Sequence, residues 1–442
     1  MDDERQTAPD VADPRVLEAT RRLIALLRER LQAPLSVRLW EGSLEPLGPD
    51  PAPGLELHVT SPGVLPSLLR RPTLDRVIRH YAHGRIDFTG GTLLDIAAAF
   101  GDGSVGRRLR AVDRWQLARR LWPLLFAPAV SPDATRGFGG DVAGAERKSG
   151  DDRRFIGFHY DVGNAFYALF LDPEMQYSCA YYPSFDADLA TAQQAKLEMI
   201  CRKLRLRPGD RLLDIGCGWG GLLCHAARHH GAIGHGVTLS TVQHGFATAK
   251  IDDLGLGDRV TVALQDFREV EGSYDKIASI GMYEHIGIAN IEAYFRKMRS
   301  LLADGGLFLN HAISRGAKRH RRRFGARPEQ RALQRYIFPG GELDDIGHTL
   351  REMEKVGFEV HDVEGWRWHY ARTTRLWCER LTARRAEAEQ LVGPETYRIW
   401  VAYLAGCAIA FERGSARIFQ TVAAKSAKGP PAVPPTRADL YR

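Results

Sequence analysis

One cysteine lies in a segment whose residue types allow several kinds of chemistry. Cys179 is part of "MQYSCAYYPSF", between Tyr177 and a pair of further tyrosines. Its thiol could be a nucleophile, a metal ligand or a core residue. The segment contains no histidine or lysine that could lower the pKa of the thiol, and the thiolate is the nucleophilic form of cysteine. The residue types alone leave these roles open.

A second segment, "RLLDIGCGWGG", reads as a strand that runs into a glycine-rich loop. Gly216, Gly218 and Gly221 fit the pattern G-x-G-x-x-G of dinucleotide-binding proteins. Such a loop lets a nucleotide approach the backbone and points peptide N–H groups at it. Taken alone the motif is weak, and a nicotinamide or flavin enzyme is one interpretation of it.

Two observations favour an S-adenosylmethionine methyltransferase over a dinucleotide enzyme. Asp214 ends the strand just before the loop, where these methyltransferases place an acid and dinucleotide folds place an apolar residue. A dinucleotide site also needs an acid about 20 residues further on, for the ribose hydroxyl. Between Asp214 and Asp252 the chain has neither Asp nor Glu. Asp266, which ends a later strand in "LQDF", could meet an adenine amino group instead.

Several further motifs occur in order over residues 155–425 and resemble one family, the cyclopropane fatty acid synthases and their mycolic acid relatives. The motifs are "FHYDVGNAFYALFLDPEMQYSCAYY", "AQQAKLEMICRKLRLRPGDRLLDIGCGWGG", "GVTLSTVQ", "SIGMYEHIG", "YIFPGGEL" and "YLAGCAIAFERG". The resemblance implies a class I S-adenosylmethionine methyltransferase fold, Rossmann-like with a mostly parallel sheet. The segment "HYAHGRIDFTGGTLLDI" resembles the family's lipid-facing domain more loosely.

The resemblance also implies an activity, the transfer of a methylene unit from S-adenosylmethionine to the cis double bond of an unsaturated phospholipid acyl chain. An alkene is a weak nucleophile, so the methyl group must be held in line and close to it. The carbocation formed by methyl transfer needs electron-rich walls and the exclusion of water. A base must then remove a proton so that the cyclopropane ring closes, and in this family the base is a bound bicarbonate ion.

The residues that would hold the bicarbonate match the family's motifs one by one. They are Cys179, Glu284, His311, Ile313 and Tyr370. A buried anion needs hydrogen-bond partners. The resemblance implies that His311 and Tyr370 donate to the ion, that Glu284 anchors its hydroxyl group, and that Cys179 and Ile313 contribute backbone groups.

The same resemblance assigns the cofactor site. Thr238 and Gln243 are expected beside the ribose, where they replace the missing acid, and Tyr160 is expected to face the acyl chain. No metal ion is expected, because the six cysteines form no C-x-x-C pair. The full set of predicted cofactor residues is Tyr177, Ser178, Asp214, Gly216, Gly218, Thr238, Gln243, Gln265 and Asp266.

From about Arg153 onward the elements that would position these residues alternate between strands and helices, which is typical of a parallel α/β sheet. The predicted strands cover 211–216, 233–239, 260–266, 274–281, 307–314 and 358–366. An N-terminal lipid-facing α+β domain is predicted over 1–126, a Gly- and Pro-rich linker over 127–152, the methyltransferase domain over 153–428 and a flexible tail over 429–442. A first helix over 14–31, capped by Asp13, is also expected.

Composition limits the setting in which the protein works. With 44% hydrophobic and 26% charged residues, the chain is typical of a globular protein. It lacks the run of about 18 apolar residues that a membrane span needs, and its acidic N-terminus is unlike a secretory signal. The cysteine pattern is typical of a reducing cytoplasm.

The net charge of +7 predicts an anionic partner, because nine of the basic residues cluster in Ser314–Arg335 against Glu329 alone. We expect this segment to dock on an anionic lipid surface, so that the enzyme is peripheral on the inner face of the membrane. A homodimer is expected from the family resemblance, and nucleic acid is not an expected partner.

Three alternative functions stay open at this point. The same carbocation could give a methyl-branched or methylene fatty acid in place of a cyclopropane. A nicotinamide-dependent oxidoreductase is disfavoured by Asp214 and by the missing ribose acid. A non-enzymatic lipid or nucleic-acid binder would explain the basic segment but would leave the cofactor loop without a use.

Overall fold

The computed structural model describes residues 13–101, 121–131, 135, 137, 149–160, 162–317, 327–425 and 433–441. The chain divides into two compact units, one formed by Met1–Arg136 with Gly393–Ala402 and the other by Gly137–Val392 with Tyr403–Arg442. The long helix Arg385–Glu412 contributes to both. Its backbone is interrupted at Gly393 (φ 79°, ψ 159°), which Pro394 follows, so the helix consists of two helical segments.

The first unit is a small α+β structure around a four-stranded sheet of order β2-β1-β3-β4. Its strands are β1 (Ser36–Arg38), β2 (Leu44–Pro46), β3 (Glu56–Val59) and β4 (Ile86–Thr89), and its helices include Pro14–Leu31, Val64–Arg70, Leu74–Ala82 and Leu93–Ala99. The first helix begins as predicted, since the Asp13 carboxylate accepts a hydrogen bond from the N–H of Arg15. The segment Gly393–Ala402 joins this unit through Arg398, whose guanidinium is 2.7 Å from the Asp87 carboxylate.

The second unit contains a seven-stranded sheet of order β10-β11-β9-β8-β5-β6-β7. Its strands are β5 (Arg211–Ile215), β6 (Ile233–Thr238), β7 (Val260–Leu264), β8 (Tyr274–Ile280), β9 (Leu302–Arg315), β10 (Phe358–Gly365) and β11 (Ala416–Lys425). All neighbouring strands are parallel except β11, which is antiparallel to β9 and to β10. The predicted α/β fold with a mostly parallel sheet is therefore confirmed.

Strand β11 was not among the six predicted strands. It is inserted between β9 and β10, so that most of its residues are buried and the sequence "RIFQTVAAK" lacks a regular alternation of polar and apolar residues. Its partners β9 and β10 lie far away along the chain. Local periodicity is the main sequence signal for a strand. A strand inserted between two others and buried along most of its length lacks this signal, so it is difficult to predict from the sequence.

Helices cover both faces of this sheet and alternate residues of the strands pack against them. In β9, Leu307 and Leu309 belong to one core cluster, whereas Phe308 between them belongs to the other. The first cluster includes the helices Leu189–Lys203 and Gly221–His230, and the second includes Ile291–Leu301 and Ile346–Lys355. The remaining helices of the unit are Ser149–Tyr160, Asn164–Ala168, Thr241–Asp253, Pro328–Tyr336 and Arg367–Ala383.

The prediction of a flexible tail over 429–442 does not hold for residues 433–441. Leu440 is buried in the 3-10 turn Ala438–Tyr441, and its carbonyl accepts a hydrogen bond of 3.2 Å from Arg202. Arg437 pairs with Asp362 at 2.6 Å, and Asp439 pairs with an arginine of the segment after helix Leu189–Lys203. One apolar anchor and these ion pairs hold the segment in place.

Parts of several predictions lie outside the described residues. These parts are residues 1–12 and 102–120 of the N-terminal domain, residues 132–134, 136 and 138–148 of the linker, residues 161 and 426–428 of the methyltransferase domain, residues 318–326 of the basic segment, and residues 429–432 and 442 of the tail. Within the described part of the chain, none of the helices is both long enough and apolar enough to cross a bilayer.

The packing of β9 predicts a large difference between two leucine substitutions. Leu309 is fully buried in the centre of the sheet, whereas Leu264, at the end of the edge strand β7, is 42% exposed. Leu309→Ala is expected to lower the free energy of unfolding by about 2–5 kcal/mol because it leaves a cavity. Leu264→Ala should change it by no more than about 0.5 kcal/mol. Urea unfolding of the two variants measures both values, and equal losses would contradict this description of the core.

Candidate functional site

A pocket lies at the carboxyl ends of β5, β6, β7 and β8, which is the usual position of a ligand in an open α/β sheet. Each of these strands is followed directly by residues that line it, such as Gly216 after β5 and Gly281 after β8. Eight of the nine predicted cofactor residues line this pocket. They are Tyr177, Ser178, Asp214, Gly216, Gly218, Thr238, Gln243 and Gln265.

The glycine loop at the end of β5 depends on the absence of side chains. Gly216 and Gly218 have φ angles of +74° and +55°, a region that residues with a side chain rarely adopt. Gly221 is required for a different reason, since a Cβ atom there would lie 2.0 Å from the Nε2 atom of Gln176. The third glycine of the motif therefore makes room for the segment around Gln176.

Asp214 presents a buried carboxylate to the pocket. The side chain is only 3% exposed, and no described residue forms a hydrogen bond with its Oδ1 atom. Burial raises the pKa of Asp214 to about 7, an effect that the nearby Lys196 partly offsets. A carboxylate in this setting gains from a ligand that carries positive charge.

Lys196 is a pocket residue that the sequence analysis did not identify. Its Nζ atom donates to Gln176 Oε1 at 2.5 Å and to Ser178 Oγ at 3.1 Å, from the buried face of helix Leu189–Lys203. One turn earlier, Gln193 Nε2 donates to the Gln176 and Ser178 carbonyls. Burial lowers the pKa of Lys196 to about 8, although Asp172 and other acidic groups counteract this effect. Gln193 and Lys196 are three residues apart and so lie on one helix face, but such a pair is equally common on exposed helices and gave no signal of a buried site.

Thr238 and Gln243, which were predicted beside the ribose, contact each other. Thr238 Oγ1 donates to Gln243 Oε1 at 2.9 Å. Tyr160, whose phenol lies close to the Gln243 side chain, lines the same pocket. The three side chains thus form one polar edge of the pocket, with hydroxyl and amide groups in place of the acid that dinucleotide folds use.

Asp266 is the one predicted cofactor residue that does not line the pocket. Its buried carboxylate accepts hydrogen bonds from the backbone N–H of Arg268 at 2.9 Å and from the Arg268 guanidinium at 3.0 Å. It therefore caps the short helix Phe267–Glu269. Its contact with an adenine amino group stays a prediction.

Glu284 and Ile313, two of the predicted bicarbonate holders, contact each other. Glu284 Oε1 accepts a hydrogen bond of 2.6 Å from the backbone N–H of Ile313 in β9. Ile313 was expected to offer a backbone group to the ion, but in this structure its N–H positions the carboxylate. No described residue bonds to Glu284 Oε2, and burial raises the pKa of Glu284 to about 7.

His311 lies two residues before Ile313 in β9 and is almost completely buried. Its Nδ1 atom is 3.2 Å from the amide nitrogen of Gln420, and its Nε2 atom has no hydrogen-bond partner among the described residues. Burial lowers the pKa of His311 well below its ordinary value, and the charges of Lys196 and Lys203 lower it further. The imidazole is therefore neutral at physiological pH.

Tyr370 and Cys179 are both protonated in this environment. Burial raises the pKa of Tyr370 well above its ordinary value, and the nearby Glu284 carboxylate adds to the effect. Burial likewise raises the pKa of the Cys179 thiol, whose Sγ atom donates to the Ala180 carbonyl at 3.3 Å. Since a nucleophile or metal ligand must be a thiolate, the structure favours a neutral core thiol at Cys179.

Aromatic rings line one wall of the pocket and continue behind it. Tyr160, Tyr177 and Trp219 face the pocket. The ring of Tyr177 lies 5.1 Å from those of Tyr167 and Trp377, measured between centroids. Electron-rich ring faces stabilise cations and keep water away. Together with the Asp214 carboxylate, they give the pocket the properties that suit a positively charged nucleoside cofactor.

The raised pKa of Asp214 predicts that binding of S-adenosylmethionine depends on pH. One unit below this pKa about a tenth of the carboxyl groups are ionised, and half a unit above it about three quarters are. Because the cationic cofactor binds the ionised carboxylate, its affinity should rise about eightfold between these two pH values. Both values lie below the pKa of about 8 at Lys196, so that the lysine stays mostly charged over this interval. Isothermal titration calorimetry measures this rise, and Asp214→Asn should abolish it. An unchanged pH profile in that variant would contradict the assignment.

Comparison with known proteins points to one family. Residues 147–421 match the family described as mycolic acid cyclopropane synthetase. A probable fatty acid methyltransferase of Pseudomonas putida is 37% identical over 420 residues, which cover 94% of this chain and 98% of the relative. The cyclopropane-fatty-acyl-phospholipid synthase of Escherichia coli K12 is 38% identical over 264 residues, which cover 60% of this chain and 66% of the relative.

A solved structure extends the comparison to three dimensions. Mycolic acid cyclopropane synthase CmaA1 complexed with SAH and CTAB is 32% identical, with a TM-score of 0.58 over 62% of this chain and 98% of CmaA1. SAH is what remains of S-adenosylmethionine after it has given up its methyl group. The chain therefore belongs to the mycolic acid cyclopropane synthetase family and is a class I S-adenosylmethionine-dependent methyltransferase.

Proposed function

We propose that this enzyme transfers a methylene unit from S-adenosylmethionine to the cis double bond of an unsaturated phospholipid acyl chain and so forms a cyclopropane fatty acid. The observation that carries the proposal is the buried Glu284 carboxylate, which the N–H of Ile313 holds at 2.6 Å, two residues after the buried His311 in β9. The imidazole of His311 is neutral and Tyr370 keeps its proton, so both side chains can donate hydrogen bonds. The E. coli relative, named a cyclopropane-fatty-acyl-phospholipid synthase, supports the choice of substrate and product.

Bicarbonate is the group that we propose for this part of the site. His311 Nε2 and Glu284 Oε2 are buried polar atoms without a partner among the described residues, and a buried polar atom without a hydrogen bond is costly. An ion that both accepts and donates hydrogen bonds would satisfy the two atoms together. His311 and Tyr370 would donate to its oxygens, and Glu284 would accept from its hydroxyl group. When bound, the ion would supply the base for ring closure.

S-adenosylmethionine, when bound, supplies the methyl group as an electrophile. The chain's own residues then have three tasks. Asp214 balances the positive charge of the cofactor, and Gln193 and Lys196 hold the backbone and side chains of Gln176 and Ser178 in place. The rings of Tyr160, Tyr177 and Trp219 exclude water and stabilise positive charge.

We also propose that the protein works at the inner face of the membrane, as a peripheral enzyme that binds an anionic lipid surface. Within the described residues, Arg327, Arg331 and Arg335 of the basic segment are exposed on or next to helix Pro328–Tyr336. Basic residues near anionic headgroups contribute about 1 kcal/mol each to binding. A homodimer is part of the same proposal and rests on the family resemblance alone.

One alternative product has specific support. The P. putida relative, which matches almost the whole chain, is named a probable fatty acid methyltransferase and not a cyclopropane synthase. A methylene fatty acid would arise from the same carbocation if a 1,2-hydride shift moved the positive charge to the methyl-bearing carbon before the methyl group lost its proton. A saturated methyl-branched chain would need a separate hydride donor. The position of the charge when the proton is removed therefore decides between cyclopropane and methylene.

The experiment that tests the function uses vesicles of a cis-unsaturated phospholipid, incubated with the protein, S-adenosylmethionine and bicarbonate. Mass spectrometry of the acyl chains is expected to show the gain of one CH₂ unit, and proton NMR is expected to show cyclopropane protons. No gain in mass would contradict lipid methylation of this substrate. A gain without cyclopropane protons would support the alternative product. Heat-denatured protein is the control.

Two variants separate the proposed role of Glu284 from thiol chemistry at Cys179. Glu284→Ala removes the acceptor of the site and should lower kcat by about 100-fold or more, which is the usual range for general acid–base groups. Cys179→Ser keeps a small buried donor and should lower kcat by less than about tenfold. The vesicle assay measures both values, with S-adenosylmethionine affinity as the control. An inactive Cys179→Ser variant that still binds the cofactor would restore a chemical role for the thiol.

A further inference from the structure

Three buried polar side chains, those of His311, Gln420 and Lys203, form a chain of hydrogen bonds that begins at the proposed bicarbonate site. Gln420 of β11 is paired in register with His311 of β9. The Gln420 amide nitrogen is 3.2 Å from His311 Nδ1, and its amide oxygen accepts a hydrogen bond of 2.7 Å from Lys203 Nζ. Each of the three side chains is no more than 1% exposed. Because water is excluded, every hydrogen bond in the chain constrains the next one.

The donors and acceptors of this chain fit together in one way only. A lysine ammonium donates hydrogen bonds and accepts none, so the oxygen of the Gln420 amide must face Lys203. The NH₂ group of the amide then faces His311, and Nδ1 must accept from it. Since His311 is neutral and carries one ring proton, that proton is on Nε2.

Burial lowers the pKa of Lys203, and the neighbouring carboxylates of Glu364 and Asp362 counteract this effect. The Nζ atom of Lys203 forms an ion pair with the Glu364 carboxylate of β10, which stabilises the charged ammonium form. The ammonium also lies 5.1 Å from the ring centroid of Trp366. The same ring meets His311 edge to face, with centroids 5.0 Å apart, and so restricts the orientation of the imidazole.

We propose that Lys203 and Gln420 are positioning residues that hold His311 in the tautomer with its proton on Nε2. The Nε2–H group of His311 is then a fixed hydrogen-bond donor. No described residue accepts a hydrogen bond from it, so it is available to a ligand. A proton on Nδ1 would instead present a lone pair there, which repels an anion. That the donor serves a bound bicarbonate rests on the proposed function, whereas the tautomer itself follows from the hydrogen-bond chain alone.

NMR of the ring nitrogens tests the tautomer without reference to activity. Full-length protein labelled with ¹⁵N in histidine is examined by long-range ¹H–¹⁵N correlation, and His311→Gln assigns the signals. In the unmodified protein Nε2 is expected to be protonated and Nδ1 to be unprotonated. A proton on Nδ1 would overturn the proposal.

Gln420→Glu is the sharpest variant, because it keeps the shape of the side chain. A carboxylate only accepts hydrogen bonds, so Nδ1 must now donate, and the NMR signals should show a proton on Nδ1. In Lys203→Met the amide is no longer oriented, and a mixture of tautomers is expected. Lys425→Met is the matched control. Lys425 lies at the end of β11, the strand that also carries Gln420, but it bonds to Leu302 and Asp304. Nε2–H should persist unchanged in this control.

The kinetic consequence is measured in the same variants. Gln420→Glu should lower kcat by roughly 10–100-fold, the usual effect of removing a partner that orients a functional group. The KM for S-adenosylmethionine and the melting temperature should stay close to those of the unmodified protein, which a purely structural defect would alter. If Gln420→Glu reverses the tautomer but leaves kcat unchanged, the positioning role is overturned. If the unmodified protein gives no cyclopropane, the proposed function fails, and the NMR result still decides the tautomer.

Discussion

The need to balance buried charge shapes the site more than any other constraint. Asp214 must be buried at the end of β5 if the glycine loop is to enclose a ligand, and an ionised carboxylate in such surroundings is unfavourable unless a partner is near. Lys196 supplies the nearby positive charge. Its bonds to Gln176 and Ser178 then connect the segment before Cys179 to helix Leu189–Lys203. One ammonium group thus contributes both to the electrostatics of the pocket and to the position of its wall.

The same helix contributes a second buried lysine that acts on the other half of the site. Lys196 and Lys203 are seven residues apart, which places them on one face of the helix, two turns from each other. Lys196 lies beside the cofactor pocket, and Lys203 bonds to Gln420 and Glu364 of the adjacent strands. Helix positions that face the core are normally apolar, but two of them here carry lysines. Lys196 bonds to Ser178, and Lys203 is connected to His311 through Gln420.

Local patterns predicted the parts of the structure that local interactions determine. The glycine loop, the acid before it and six strands all leave a signal within a few residues, and eight of nine cofactor residues line the pocket. Contacts between distant segments could not be predicted in this way. Strand β11 and the bond from Ile313 to Glu284 both depend on tertiary packing. Lys196 stood in a quoted motif, but nothing local distinguishes a buried lysine from an exposed one.

Burial also sets the protonation states that the proposed chemistry needs. Cys179 and Tyr370 keep their protons, His311 is neutral, and the pKa values of Asp214 and Glu284 lie near 7. Without ligands this arrangement holds little fixed charge apart from its lysines, so the cost of burial stays small. Under the proposed function, a cationic cofactor and a bicarbonate anion enter together. Each then stabilises the charged form of the residues around it, and the two ligands offset one another's charge. A site built in this way favours binding both before the alkene is methylated, so that the base is present when the carbocation forms.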